Sequence, residues 1–196
     1  MWKQKIVSFA NRFQHPAWGP SHYERVYKMA LLLGRQQSES IDEEALFAAA
    51  YLHDMGAFEP YKQTGVDHAE RSVQVVEPVL ISSGFPAGKV PLVKEIISGH
   101  MFYAQPANSL EAIIFHDADT LDFMGIIGVT RLLSIVGLDD WTPDLKSAIA
   151  LIEHFSKDLA DKLITPEAKS IGKARQAEMV AYLDALSQET SNFRVL

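Results

Sequence analysis

The sequence of 196 residues contains no cysteine. Disulfides, thiolate-held zinc, iron–sulfur clusters and thiol nucleophiles are therefore excluded. No stretch approaches the ~20 apolar residues of a membrane span. The opening residues, Met1 to Ala10, hold too short an apolar run for a signal peptide. The expectation is a cytoplasmic protein with no membrane partner. Basic charge is also scarce: 18 Lys and Arg stand against 25 Asp and Glu, a net charge of −7. Bulk nucleic acid is recognised by neutralising its phosphates with basic patches, so it is not an expected partner. Internal repeats, low-complexity tracts, alternating strand patterns and Asn-Gly hairpin turns are all missing.

What is present is helical periodicity. At about 150 residues per domain the length fits one domain, residues 1–196. The composition, 47 % hydrophobic and 22 % charged, is that of an ordinary globular chain. A first helix is expected up to Phe13, followed by a loop from Gln14 to Pro20. Ser21 fits an N-cap for a helix with His22, Val26, Met29 and Leu33 on one face, closed by Gly34 to Ser40. Asp42 fits the next cap, with Glu43 and Glu44 in the first turn and Ile41 and Leu46 in staple positions. The stripe Leu46, Ala49, Ala50, His53 follows, and Gly56 supplies a stop.

After a loop from Ala57 to Gly65, Asp67 fits the cap of a helix reaching about Gly84, bent or interrupted at Pro78. Pro91 suits the first turn of a helix with the face Val93, Ile96, Ile97, His100. Ser109 starts a helix through Asp122, and an apolar segment continues to Gly137. Thr142-Pro143 and Thr165-Pro166-Glu167 read as two further helix starts. The fold class is all-α, with eight or nine helices. A core over about 21–137 and C-terminal helices over about 142–187 packed on it are expected.

Three histidines, His22, His53 and His100, end apolar stripes and point inward. A buried imidazole requires a hydrogen bond or a metal. Three together favour a shared site, and Asp54 beside His53 adds a carboxylate. Imidazole plus carboxylate suits Zn, Mn, Fe, Co or Ni.

His22, His53-Asp54 and Asp119 form a series that resembles the H…HD…D pattern of the HD-domain superfamily of metal-dependent phosphohydrolases. Ala48 to Gly56, AAAYLHDMG, is similar to that family's helix end around its His-Asp pair. Ser21-His22-Tyr23-Glu24-Arg25-Val26 resembles its first-ligand helix. Asp117 to Arg131, DADTLDFMGIIGVTR, resembles a DADxLDxxGxxGxxR block of small bacterial HD hydrolases. His68-Ala69-Glu70, Ile96 to His100, His154-Phe155 and Arg175 with Met179 fit the same subgroup.

The resemblance implies an HD-type helical bundle and a divalent metal, Mn, Co, Ni, Mg, Zn or Fe, on His22, His53, Asp54 and Asp119. It implies metal-activated water attacking a phosphate ester or anhydride of a small substrate, a nucleotide foremost. Periodicity alone leaves two aspartates open, because Leu110, Ile113, Ile114, Asp117 and Leu121 form the better apolar face. The family pattern selects Asp119. His68 and His100 complete a series like that of two-metal relatives, where the central aspartate bridges both ions. The alternative is that they serve substrate phosphate or proton transfer around a single ion.

Arg25, Arg71 and Arg131 are candidates to fork onto phosphate, with Lys62 behind them. Glu59 is a candidate general base. Asp67 and Asp122 are candidates to orient a ligand. His15 and His154 match no metal position and read as structural. Phe58, Tyr61, Phe102 and Tyr103 follow candidate ligands and suit either stacking on a base or packing. An HD-fold di-iron oxygenase and a non-catalytic binding module are the competing functions. The sequence leaves the oligomeric state open.

Overall fold

A computed structural model describes residues 1–195. Nine α-helices lie among them: α1 (Trp2–Ala10), α2 (Pro20–Gly34), α3 (Glu43–Leu52), α4 (His68–Ser83), α5 (Val90–Ser98), α6 (Leu110–Asp122), α7 (Gly125–Leu133), α8 (Leu145–Asp158) and α9 (Pro166–Glu189). Short 3-10 turns occupy Met55–Ala57, Ala87–Lys89 and Leu159–Lys162. There is no strand among the described residues, as an all-α chain requires. No helix among them is long and apolar enough to cross a membrane. The chain divides into two compact units, Met1–Asp119 and Thr120 onward.

The first unit is built around α3. Its residues Ala45 to Ala50 and Leu52 are all buried, so it is apolar on every side rather than striped. The alanines let neighbours approach closely, and α1, α2 and α5 pack against it. Leu46 and Leu52 are fully buried, each worth about 1.5–3 kcal/mol of transfer free energy. Asp42 caps α3 by accepting from the backbone N–H of Glu44 and Ala45 at 3.1 and 3.0 Å. Asp67 caps α4 in the same way. That helix runs through Pro78 uninterrupted and ends at Gly84, whose φ of +86° suits glycine.

Three boundaries differ from the sequence expectations. Helix α1 ends at Ala10 rather than Phe13. Helix α2 begins at Pro20, with Gly19 as N-cap, so Ser21 lies inside its first turn. Helix α8 starts at Leu145, capped by Asp144 through Ser147 N–H at 2.7 Å. Thr142 instead donates its hydroxyl to Ile135 O at 3.0 Å.

In the second unit α7, α8 and α9 pack on one another. Leu132, Ile152, Phe155 and Met179 are buried. Gly128 is obligatory, because a Cβ there would lie 2.1 Å from Phe123 O.

Candidate metal centre

Five chain segments deliver imidazoles and carboxylates to one buried cluster within the first unit. His22 sits in the first turn of α2, where Pro20 pre-sets the helical backbone. His53 is the C-cap of α3, and Asp54 leads into the 3-10 turn with φ −94° and ψ 1°. That departure from helical geometry lets both neighbours face the same cluster. Gly56 is not a stop signal, since α3 has already ended. It is a close-approach position: a Cβ there would lie 2.4 Å from His68 O and 2.6 Å from Ser72 N. Its N–H donates to Ser72 Oγ at 2.8 Å. The His-Asp turn is thereby pressed onto α4, whose first residue is His68.

Asp54 stands in the middle with its two oxygens facing different ways. Oδ2 lies 3.2 Å from His53 Nε2 and 3.5 Å from His22 Nε2. Oδ1 lies 3.4 Å from His68 Nε2 and 3.6 Å from His100 Nε2. Asp119 Oδ1 joins the first side, 3.3 Å from His22 Nε2 and 3.8 Å from His53 Nε2. The imidazoles pair across each side, with His22 and His53 Nε2 atoms 3.1 Å apart and His68 and His100 Nε2 atoms 3.3 Å apart.

The donor chemistry fits a cation. His53 Nδ1 and His100 Nδ1 donate to Ala50 O at 2.9 Å and Ile97 O at 2.7 Å. A carbonyl only accepts, so the proton resides on Nδ1 and Nε2 turns toward the cluster as the coordinating nitrogen. Both oxygens of Asp119 are buried without a hydrogen bond, an arrangement that is expensive unless positive charge is shared there. His22, His53 and Asp119, and likewise His53, Asp54 and His100, offer ligand atoms within 4.8 Å of one another. The set is suited to hold a divalent metal.

The cluster's charges move its titrations. Burial pushes the His53 imidazole down, but Asp54 and then Asp119 outweigh it and raise its pKa to about 9. Burial likewise opposes the ionisation of Asp54, yet His53, His100 and His68 together hold its carboxyl well below the usual range. His100 goes the other way: burial wins and lowers it.

Of the two aspartates that periodicity left open, the structure brings Asp119 into the cluster. Every residue from Ile114 to Gly125 is buried. With the second half of α6 buried on every side, an apolar face does not mark the side turned to the cluster, so the spacing that favoured Asp117 does not locate the ligand. Sequence reasoning assigns no role to His116, the histidine of a second His-Asp dipeptide with Asp117. It is buried, and its Nδ1 donates to Gly99 O at 3.0 Å, fixing the residue before His100. Tyr23, beside His22, likewise receives no role. Its ring lies edge-on to His53 at 5.7 Å, and its buried hydroxyl has no hydrogen-bond partner.

The cations expected on phosphate are placed unevenly. Arg25 is partly buried one turn after His22. Arg71 donates to Tyr61 O at 2.6 Å and to Gln74 Oε1 at 3.0 Å, so it braces the loop before α4. Arg131 departs from expectation. It is 3 % exposed in the second unit, donating to the carboxylate and to the carbonyl of Asp122, each at 2.9 Å. It lies over the Phe123 ring at 4.4 Å. There its guanidinium holds the main chain and side chain of Asp122.

Glu59 and Lys62 are exposed in the loop between α3 and α4. Phe58 stacks on Phe13 and Tyr61 lies against Phe9 and Phe13, so both pack on the N-terminal helix region. Tyr103 stays about half exposed, donating to Asp67 Oδ2 at 2.8 Å. His15 stacks on Trp18 and accepts from the backbone, and His154 pairs with Asp158, as structural histidines do.

No curated protein matches the sequence. Solved structures do share the fold. A Lactobacillus plantarum protein is 23 % identical, with a TM-score of 0.71 and 97 % of each chain covered. Bacillus subtilis YpgQ, solved with ADP, is 22 % identical with a TM-score of 0.69, covering 95 % of this chain and 97 % of its own. A predicted HD superfamily hydrolase from an uncultured Thermotogales bacterium is 23 % identical with a TM-score of 0.65, covering 96 % of this chain and 90 % of its own. Residues 21–124, more than half of the chain and inclusive of all six convergent side chains, match the HD domain, so this chain belongs to the HD-domain family.

Proposed function

We propose that the chain is a metal-dependent phosphohydrolase with two metal positions that share Asp54. The observation that carries this is the division of labour at its carboxylate, Oδ2 toward His22 and His53 and Oδ1 toward His68 and His100. Asp119 completes the first position. Divalent ions held there would supply Lewis acidity, an acidified water and neutralisation of phosphoryl charge.

The residues of the chain supply the rest. The carbonyls of Ala50 and Ile97 fix two imidazoles in one tautomer, so the ligands need no reorganisation. Burial of His22, His53, Asp54, His100 and Asp119 keeps bulk water from the reacting centre. His68, the most open of the four imidazoles at 23 % side-chain exposure, is the one suited to hand over or accept a proton. Arg25, one turn after His22, is assigned to substrate phosphate. The ADP complex of YpgQ supports a nucleotide as the substrate class. Phosphate suits an acidic chain because the ions and a local arginine hold it.

The test couples elemental analysis of the purified protein to a panel of nucleotides and phosphoesters with Mn, Co, Ni, Mg and Zn. Metal-dependent release of phosphate or pyrophosphate, lost in Asp54→Asn, is expected. Release that survives that substitution overturns the proposal. The shared carboxylate equally suits a di-iron oxygenase, and two irons per chain with oxygen uptake would favour that second reading. Binding of metal and nucleotide without any turnover would leave a ligand-binding module.

A further inference from the structure

Three of the four imidazoles are buried, and two of these, His53 and His100, are locked by a carbonyl three residues earlier, in the helix that each follows. His68 has no such carbonyl, because it is the first residue of α4. Its Nδ1 instead faces Asp67 Oδ2 at 3.8 Å. That is too long for a hydrogen bond, but closing it needs a shift of only about 1 Å, of the kind that ligand binding produces in metal-free sites.

The Asp67 carboxylate is divided. Oδ1 caps α4, accepting from Ala69 N–H at 2.8 Å and Glu70 N–H at 3.4 Å. Oδ2 does no capping. It accepts from the Tyr103 hydroxyl at 2.8 Å and faces His68. A cap needs one oxygen, which serine or threonine would supply equally well. The second oxygen and the tyrosine are therefore unexplained by helix capping. Tyr103 lies three residues after His100, so its hydrogen bond ties the segment that carries His100 to the helix start that carries His68. The Nε2 atoms of those two imidazoles are 3.3 Å apart.

We propose that Asp67 and Tyr103 form a latch that positions His68 and so sets the affinity of the second metal position. Asp67 acts as a positioning residue through His68, and Tyr103 acts through Asp67. Neither is a metal ligand. The inference rests on the two-position reading given above and makes the second position tunable from the surface.

The experiment titrates the full chain with Mn(II), following stoichiometry and affinity by calorimetry, and records the thermal midpoint of the metal-free protein. The variants are Asp67→Ser, which keeps a cap but removes the second oxygen, and Tyr103→Phe, which removes one exposed hydroxyl. For wild type, two ions of unequal affinity are expected. In Asp67→Ser the second Kd rises 10- to 100-fold, the range typical of lost partners behind a metal ligand. In Tyr103→Phe it rises about threefold to tenfold. The first Kd stays within twofold in both, and the midpoint of Tyr103→Phe is unchanged. A wild type that binds two ions, with variants that bind them identically, reduces Asp67 to a cap and overturns the latch. Both Kd values rising together with a fallen midpoint overturns it in favour of a general structural role. A wild type that binds one ion or none removes the two-position reading itself, and the latch with it. Tyr103→Phe keeps the test decisive if Asp67→Ser does not fold.

Discussion

Helix α6 carries three buried aspartates, and two of them, Asp119 and Asp122, lie three residues apart in opposite surroundings. Asp119 belongs to the first unit, where no hydrogen-bond donor satisfies its oxygens and two imidazole nitrogens face it. Asp122 belongs to the second unit, where Arg131 meets its carboxylate at 2.9 Å and also takes its carbonyl. Burial is equal: 1 % exposure for Asp119 and 4 % for Asp122. Desolvation therefore does not distinguish them. The partner does. A buried acid matched by a guanidinium inside the chain is complete as folded, whereas one matched only by coordinating nitrogens still wants a cation from outside. This difference separates a fastening from a functional site without appeal to which residue a motif favours.

The largest expected effect comes from removing the unmatched acid. Asp119→Asn keeps the shape and deletes the charge. Metal-dependent turnover should fall roughly 10³-fold, about 4 kcal/mol of transition-state stabilisation. In excess chelator the same variant should lose some stability, because burial opposes ionisation of Asp119 but His22 and then His53 outweigh it, so the charged carboxylate favours the native state. Turnover assays and chelator-treated thermal melts measure the two halves. A variant that loses stability without losing turnover would break the contrast between the two aspartates.

The second effect runs the other way. Arg131→Met removes the guanidinium that holds the buried Asp122 carboxylate and should lower stability by about 3–5 kcal/mol. The double variant Arg131→Met, Asp122→Leu should recover most of that loss, since a well-packed apolar pair often replaces a buried ion pair at little expense. Turnover per folded molecule should change little in both. Urea denaturation of the two single variants and the double variant closes the cycle. A loss of turnover with unchanged stability would return Arg131 to the substrate-binding role that its sequence suggested.

That reversal for Arg131 marks where the sequence stops being legible. Its position at the end of a glycine-spaced block gives residue type and spacing but not direction, and direction decided between phosphate and Asp122. The same holds for Asp117 and Asp119: the second half of α6 is buried on every side, so an apolar face does not tell the two apart, and only the family pattern did. Readable features were those with local causes. Asp42, Asp67 and Thr165 are caps because their side-chain oxygens meet backbone N–H groups two or three residues ahead. His22, His53 and His100 were readable because polar residues ending apolar stripes demand explanation. Thr142 and Ser21 misled because cap-like residues compete with neighbours one or two positions away. Gly56 misled because a glycine after a helix reads as a stop, while close approach to α4 is a tertiary cause with no local trace. His116 and Tyr23 adjoin candidate residues in the sequence, but what each touches is decided by partners distant in it.

A third aspartate extends the comparison to the surface and gives the smallest effect. Asp42 accepts from two backbone N–H groups and pairs with Lys89 at 2.9 Å, in a partly exposed position. Burial raises its pKa somewhat, but Lys89 and the N–H groups of Ala45 and Glu44 outweigh it, and the carboxyl sits below its ordinary value. A lowered folded pKa means that ionised Asp42 favours the native state. That contribution is present at pH values above the unfolded pKa of about 3.9, and it is lost as pH falls through the lower folded value. Asp42→Ala should therefore destabilise the chain by about 1 kcal/mol at neutral pH. The gap to wild type should be flat from pH 5 to 7 and shrink below about pH 4. Only the Lys89 share should fade at high salt, because the backbone N–H bonds are local and screening acts on the exposed ion pair. A gap that persists unchanged at pH 3 would show that the side chain caps α3 without its charge. Asp42 would then differ from Asp119 and Asp122, where charge is the whole issue.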